Sequence, residues 1–394
     1  MKKYNYNILV DRTSGNAEKY ALRRKLFHTE DVLPMWVADM DIVTPPFITE
    51  AVSVRAAHTV YGYEEMPNSA FEAQIAWMKR HHDLVIEREW IFYSPSVVAT
   101  INVAIQAFTK PGDKVIVQPP VYFPFFKSVA NNNRQVVSNP LKQLENGDYT
   151  FDIEDLKSKI DTDTKLLLLC SPHNPVGRVW KRKELQAIAD ICLEHDIKVL
   201  ADEIHSDLVY APHKHIPFAS LSDDVNNITI TAIGPGKTFN IAGLSISTAV
   251  IANETIRRQF YEVYNSIHFA EGTVFGHVGF EAAYRDGADW HKGLMGHLSA
   301  NVKALKSVCD MHRDKITLTI PEGTYLAWLD CSGMGLSDKA LRQFFVEKVK
   351  LGLSPGTAFG KEGTQFMRLN FAVPTSIMDQ ALLRLDQALS DYIF

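Results

Sequence analysis

Lys237 follows the turn Gly234-Pro235-Gly236, where a lysine is ordinarily a solvated surface residue. The chain behind it reads otherwise: Thr238-Phe239-Asn240-Ile241-Ala242-Gly243-Leu244-Ser245-Ile246 is small and largely apolar, and asks to be buried. An amine kept out of water has a lowered pKa and can form a Schiff base with an aldehyde cofactor. Two further polar groups stand in comparable places. Asp202 opens Asp202-Glu203-Ile204-His205, and Asn174 lies within Ser171-Pro172-His173-Asn174-Pro175-Val176-Gly177.

Each of these groups comes just after a short apolar run: Lys165 to Cys170, Lys198 to Ala201 and Ile228 to Ile233. Runs of that length bounded by turn formers read as strands buried on both faces of a sheet. Three strand ends therefore converge on the edge where open α/β sheets bind ligands. Lysine, aspartate and asparagine on one edge match pyridoxal 5'-phosphate: imine to the aldehyde, carboxylate to the ring nitrogen, amide to the ring oxygen.

Around these strands the chain alternates, with strand patterns at Lys114 to Gln118 and Leu244 to Ile251 and helical ones at 97–108, 181–194, 253–264 and 276–285. That order predicts an α/β fold, a three-layer sandwich with a mainly parallel sheet. A long helix over about 291–312 leads into strands at 315–320, 325–330 and 366–370 and helices at 337–350 and 376–390, a smaller α+β layer. Near the start, Phe47 to His58 and Ala70 to His81 are helical in period. Leu33-Pro34-Met35-Trp36-Val37-Ala38-Asp39-Met40-Asp41, stopped by Pro45-Pro46, reads equally as an extended arm packed into a cleft or an edge strand. Ser94-Pro95-Ser96 before the apolar helix from Val97 either caps that helix or also offers its amides to a phosphate.

With 394 residues, 46% of them hydrophobic, the chain supports one large core and a second smaller one. A net charge of −5 without like-charge runs points away from nucleic acid and membrane surfaces. Met1-Lys2-Lys3 has no apolar stretch behind it, so no signal peptide is expected, and no run is long enough to cross a bilayer. Cys170, Cys192, Cys309 and Cys331 are too scattered for a zinc site or disulfide framework; a reducing, cytoplasmic setting is expected.

Asp202-Glu203-Ile204-His205-Ser206-Asp207, Lys237-Thr238-Phe239-Asn240-Ile241-Ala242-Gly243-Leu244, Leu33 to Asp41 and Leu353-Ser354-Pro355-Gly356 resemble the fold-type I pyridoxal-phosphate enzymes, the class I and II aminotransferases. Within that family they look most like the carbon-sulfur β-lyase branch, the MalY/PatB type of cystathionine β-lyase. The resemblance spans nearly the whole chain. It implies a large cofactor domain at 47–288 and a small domain of 1–46 and 289–394. It implies Lys237, Tyr122 and Asp202 as the catalytic set, with Tyr122 stacked on the cofactor ring; from the residues the alternative is a core aromatic, since Phe123, Phe125 and Phe126 crowd the same stretch. Val97, Val98, Tyr63, Asn174 and His205 join them in holding the cofactor, Tyr63 from a neighbouring subunit of a homodimer with shared sites. Val37, Ala38, Asn174 and Arg368 would bind the amino-acid substrate, with Trp36 beside them and Asn174-Pro175 as a cis bond.

Many relatives carry hydroxyl residues three and one positions before the lysine; here both are glycine, Gly234 and Gly236. His205 stands where many aminotransferases have tyrosine, which fits the lyase branch. The resemblance favours β-elimination of a thiol from cystathionine or another cysteine S-conjugate, releasing pyruvate and ammonia. Amino-group transfer remains the alternative, and a regulatory binding protein that retains the fold is a third reading.

Overall fold

The computed structural model describes residues 4–269 and 272–393. Its main sheet has seven strands, in chain order β1 Ile91–Ser94, β2 Lys114–Val117, β3 Gln135–Ser138, β4 Thr164–Cys170, β5 Lys198–Asp202, β6 Thr229–Ile233 and β7 Ser247–Val250. Their spatial order is β1-β7-β6-β5-β4-β2-β3. Strands β3, β2, β4, β5 and β6 run parallel; β7 is antiparallel to β6, and β1 to β7.

The two-residue period of the strands divides their side chains between two cores. Ile116, Leu167, Leu169, Val199 and Ala201 pack on one face against Leu185 and Ile188 of the helix Arg182–Glu194. Val117, Leu166, Leu168, Leu200 and Ala232 pack on the other, against Ile101 and Ile105 of Val97–Phe108 and Phe260 of Glu254–Ile267. Burial on both faces is why β4 reads as an unbroken apolar run rather than an alternating one. Asp202 shares the parity of Leu200, so it faces the side on which the helix Val97–Phe108 begins.

A four-stranded sheet forms the smaller layer: β8 Thr317–Leu318, β9 Leu326–Asp330, β10 Ser354–Pro355 and β11 Phe366–Asn370, in the order β8-β9-β11-β10. The 24-residue helix Ala288–Met311 enters this layer and Thr375–Ser390 closes it. The arm is extended, and Leu33–Pro34 pairs in parallel with Leu351–Gly352. No helix among the described residues is long and apolar enough to cross a membrane.

Several elements differ from the sequence expectation. The strand expected over Leu244 to Ile251 is confined to β7, because Ala242–Leu244 turns as a 3-10 helix and Ser245 takes a left-handed φ of 52°. No helix crosses over between β6 and β7, so the chain returns antiparallel. The expected helix 337–350 is regular only over Asp338–Gln343 and then widens to π turns over Phe344–Val349, while the strand 315–320 shrinks to β8. The edge strand β3 was not foreseen.

Candidate functional site

Asp202 closes β5 with 4% of its surface exposed. Its carboxylate accepts one hydrogen bond, from the Ile204 amide at 3.2 Å, and makes no ion pair among the described residues. Burial pushes it up to about 7, against the opposing pull of the Ile204 amide and the Lys237 charge.

Lys237 leaves the Gly234-Pro235-Gly236 turn beyond β6, and its Nζ donates to the Ala38 carbonyl at 2.6 Å. The same carbonyl accepts the Tyr325 hydroxyl at 2.9 Å, so the arm and the small layer meet at the amine. Burial and the charge of Arg368 bring the amine down to about 8, with Asp39 and Asp202 opposing.

Arg368 comes from the centre of β11 and is 5% exposed. Its Nη1 donates to Asn174 Oδ1 at 2.9 Å and its Nη2 to the Trp36 carbonyl at 2.8 Å. The guanidinium sits over the Phe359 ring at 4.6 Å, and Nε is buried without a partner. No carboxylate pairs with it among the described residues. Desolvation lowers it to about 10, which leaves it charged at neutral pH. An interior cation with neutral partners and a spare donor is a site for an anion.

Ala38, Val97, Val98, Tyr122, Asn174, Asp202, His205 and Lys237 line one cavity of about 170 Å³, together with Ser96, Gly236 and Ser247. At its wall Ser96 caps the helix by accepting from the Ala99 amide at 3.2 Å, and the amides of Val97 and Val98 fall in the first turn, which has no intrahelical acceptors. Tyr122 is half-buried, its hydroxyl pushed up by burial and by the Asp202 charge. The His205 ring stands edge-on to Tyr325 at 5.7 Å with Nδ1 unpaired, and burial keeps it neutral. Arg368 reaches the cavity through Asn174. Val37 lies behind it, half-buried, its carbonyl accepting from Asn370 Nδ2 at 2.7 Å.

Tyr63 is elsewhere. Its side chain is fully exposed and borders a separate groove with Tyr61, Tyr261 and Tyr264. The two glycines before the lysine also differ from one another. A Cβ on Gly234 would lie 2.9 Å from Ser247 Cα, whereas one on Gly236 would meet Ala242 at an ordinary 3.6 Å.

Sequence reasoning missed the cations that hold the arm. Lys19 is wholly buried and donates to Asp41 Oδ2 at 2.9 Å and to the Asp39 carbonyl at 3.0 Å; Arg12 bonds Asp39 at 2.6 Å and Asp41 at 2.5 Å. Asp39 and Asp41, two carboxylates in a dense apolar segment, were the available signal.

A cavity walled by an interior lysine and aspartate at the carboxyl edge of this sheet, with an interior arginine behind Asn174, defines a class, and the match extends along the chain: the chain belongs to the aminotransferase class I and II family, whose model covers residues 31–385. Among curated proteins it is 40% identical to cystathionine beta-lyase PatB of Bacillus subtilis (strain 168), over 98% of this chain and 100% of that one. Among solved structures it is similar to cystalysin from Treponema denticola, which contains a pyridoxal 5'-phosphate cofactor, with a TM-score of 0.95 and 35% identity over 99% and 100% of the two chains. It is also similar to the PLP-bound C-S lyase from Staphylococcus hominis, with a TM-score of 0.90 and 29% identity over the same shares.

Proposed function

We propose that this chain is a pyridoxal-phosphate-dependent carbon-sulfur β-lyase that cleaves cystathionine or related cysteine S-conjugates to a thiol, pyruvate and ammonia. The carrying observation is Lys237 and Asp202 facing one cavity, with the interior guanidinium of Arg368 behind it bonded to neutral groups and its Nε left without a partner. The cystathionine β-lyase and C-S lyase relatives support the choice of reaction.

The residues present fit the cofactor. Asp202 is a buried carboxylate without a cation in contact, the place for a protonated ring nitrogen. Asn174 spends its oxygen on Arg368 and keeps its amide nitrogen for a ring oxygen. The open first turn at Val97 and Val98 suits a phosphate. Tyr122 would cover the ring and His205 would stand beside it. When bound, the group supplies an aldehyde for amine attachment and a ring that accepts the electron pair released at the substrate's Cα.

The protein's own residues do the rest. Arg368 takes the α-carboxylate, with Trp36 and Asn174 fixing the plane of the guanidinium, and Val37 and Ala38 shape that side of the pocket. Lys237, an amine brought to about 8, holds a neutral fraction near neutral pH and can take the Cα proton. The Cβ–S bond then breaks, the sulfur leaves as thiolate and gains a proton, and water completes release of pyruvate and ammonia.

Tyr63 makes no contribution to its own chain's cavity, and its exposure beside Tyr61 and Tyr261 suits a second copy. A homodimer in which Tyr63 reaches the neighbour's phosphate accounts for both, in a cytoplasmic enzyme with 47–288 as its cofactor domain.

Incubation with L-cystathionine tests the reaction: thiol and pyruvate should appear in equal amounts. Transfer of the amino group to a keto acid without pyruvate would replace this reading with an aminotransferase.

A further inference from the structure

Asp207 lies outside the cavity, 9% exposed, and takes no part in the chemistry above. Three elements nevertheless aim donors at it. From the helix Asn68–His82, Trp77 Nε1 and His82 Nε2 reach Oδ1 at 2.9 and 2.7 Å. Thr238, the residue after Lys237, donates its hydroxyl to Oδ2 at 2.8 Å. His291 Nε2, from the helix Ala288–Met311, donates to the Asp207 carbonyl at 2.6 Å. Burial works against ionisation, but the hydrogen bonds from His82 and Trp77 prevail and hold the carboxyl well below the usual range.

A buried carboxylate is a costly way to fill space, because an apolar side chain would need no donors. Here its side chain joins the loop after Asp202 to the turn that carries Lys237. Asp207 is five residues beyond Asp202, in a loop tied down by Ser206 N to Glu203 O and Leu208 N to His205 O, both at 2.9 Å. Glu203 anchors the loop's start, accepting from Phe218 N at 2.8 Å and pairing with His215 at 2.9 Å. The other end of the bond is a wholly buried Thr238 adjoining the amine.

We propose that Asp207 is a positioning residue: through the Thr238 hydroxyl it fixes the Lys237 turn against the Asp202 loop and keeps the amine in register across the cavity. The proposal rests on Lys237 moving the Cα proton. It assigns Asp207 and Thr238 a part in the reaction although neither lines the pocket.

Thr238→Val removes the hydroxyl at nearly constant volume, and Thr238→Ser keeps it. In the cofactor-loaded enzyme Thr238→Val should lower kcat about tenfold at unchanged KM, since small misplacements of a reacting group cost up to about a hundredfold. Thr238→Ser should recover most of that loss, both variants should unfold within a few degrees of the parent, and the visible band of bound cofactor should weaken only in the valine variant. Asp207→Asn, if it folds, should follow the valine variant. A Thr238→Val enzyme with parental kcat and an unaltered band overturns the proposal. Equal losses in the serine and valine variants overturn it too, because shape and not the hydroxyl would then matter. The band reads the clamp even if a different amino acid is turned over, so failure of the lyase reading and failure of the clamp are separable; a colourless parent overturns both.

Discussion

Arg368 and Asp202 are interior charges left incomplete by the protein alone, and substitutions at each report a different partner. Arg368→Lys keeps the charge but loses the planar fork, so kcat/KM should fall roughly a hundredfold, mostly through KM, as expected when a bidentate carboxylate contact is lost; steady-state kinetics check this. Asp202 gives a pH signature. Its folded pKa of about 7 lies above its ordinary 3.8, so between these values the folded cofactor-free protein holds a proton that the unfolded chain has released. Stability therefore falls as pH rises through that window. Thermal unfolding of cofactor-free Asp202→Asn should be flatter than the parent's from about pH 4 to about pH 7, where this group's linkage acts. Gly236→Ser adds a hydroxyl where a Cβ meets only an ordinary 3.6 Å contact, and should slow loss of the cofactor on dialysis; Gly234→Ala, 2.9 Å from Ser247 Cα, should destabilise the fold. Lys237, Asp202 and Asn174 were legible because each follows closely on the end of an apolar run. Lys19 was not: its burial follows from carboxylates twenty residues away, and the segment around it has no periodicity to mark it.

At the scale of elements, legibility followed burial. Strands β4, β5 and β6 are buried on both faces and announce themselves as apolar runs, while β3, Gln135 to Ser138, lies at the sheet edge with both valines partly exposed and resembles a loop. The direction of β7 escaped because strand pattern carries no orientation; only the connection decides it. The arm is the element whose placement the site depends on most, since the Ala38 carbonyl holds the Lys237 amine and the Trp36 carbonyl holds Arg368. Lys19 and Arg12 pin it through Asp39 and Asp41. Lys19→Met leaves Asp41 buried with one cation in place of two, and should destabilise the protein by about 3 kcal/mol, as when one partner of a buried pair is removed. Denaturant unfolding reads the loss, and cofactor retention should weaken with it.

For the whole molecule, the sheet edge and the arm line a single cavity, and the small layer braces it through Arg368 on Asn174 and Tyr325 on the Ala38 carbonyl, so the site depends on all three. In the proposed homodimer the exposed tyrosines at 61, 63 and 261 would extend this to a second copy. Sedimentation should give a dimer, and Tyr63→Ala should loosen the cofactor without altering Lys237. Mixed dimers of Tyr63→Ala and Lys237→Ala chains should regain activity at one site in each dimer, because each such site draws its tyrosine and lysine from different chains. On this reading the amine at 237 is the one that carries the aldehyde. Borohydride reduction of the loaded enzyme, digestion and mass analysis test it most directly: the cofactor mass should sit on the peptide containing Lys237, and its appearance on another lysine, or on none, would contradict the account.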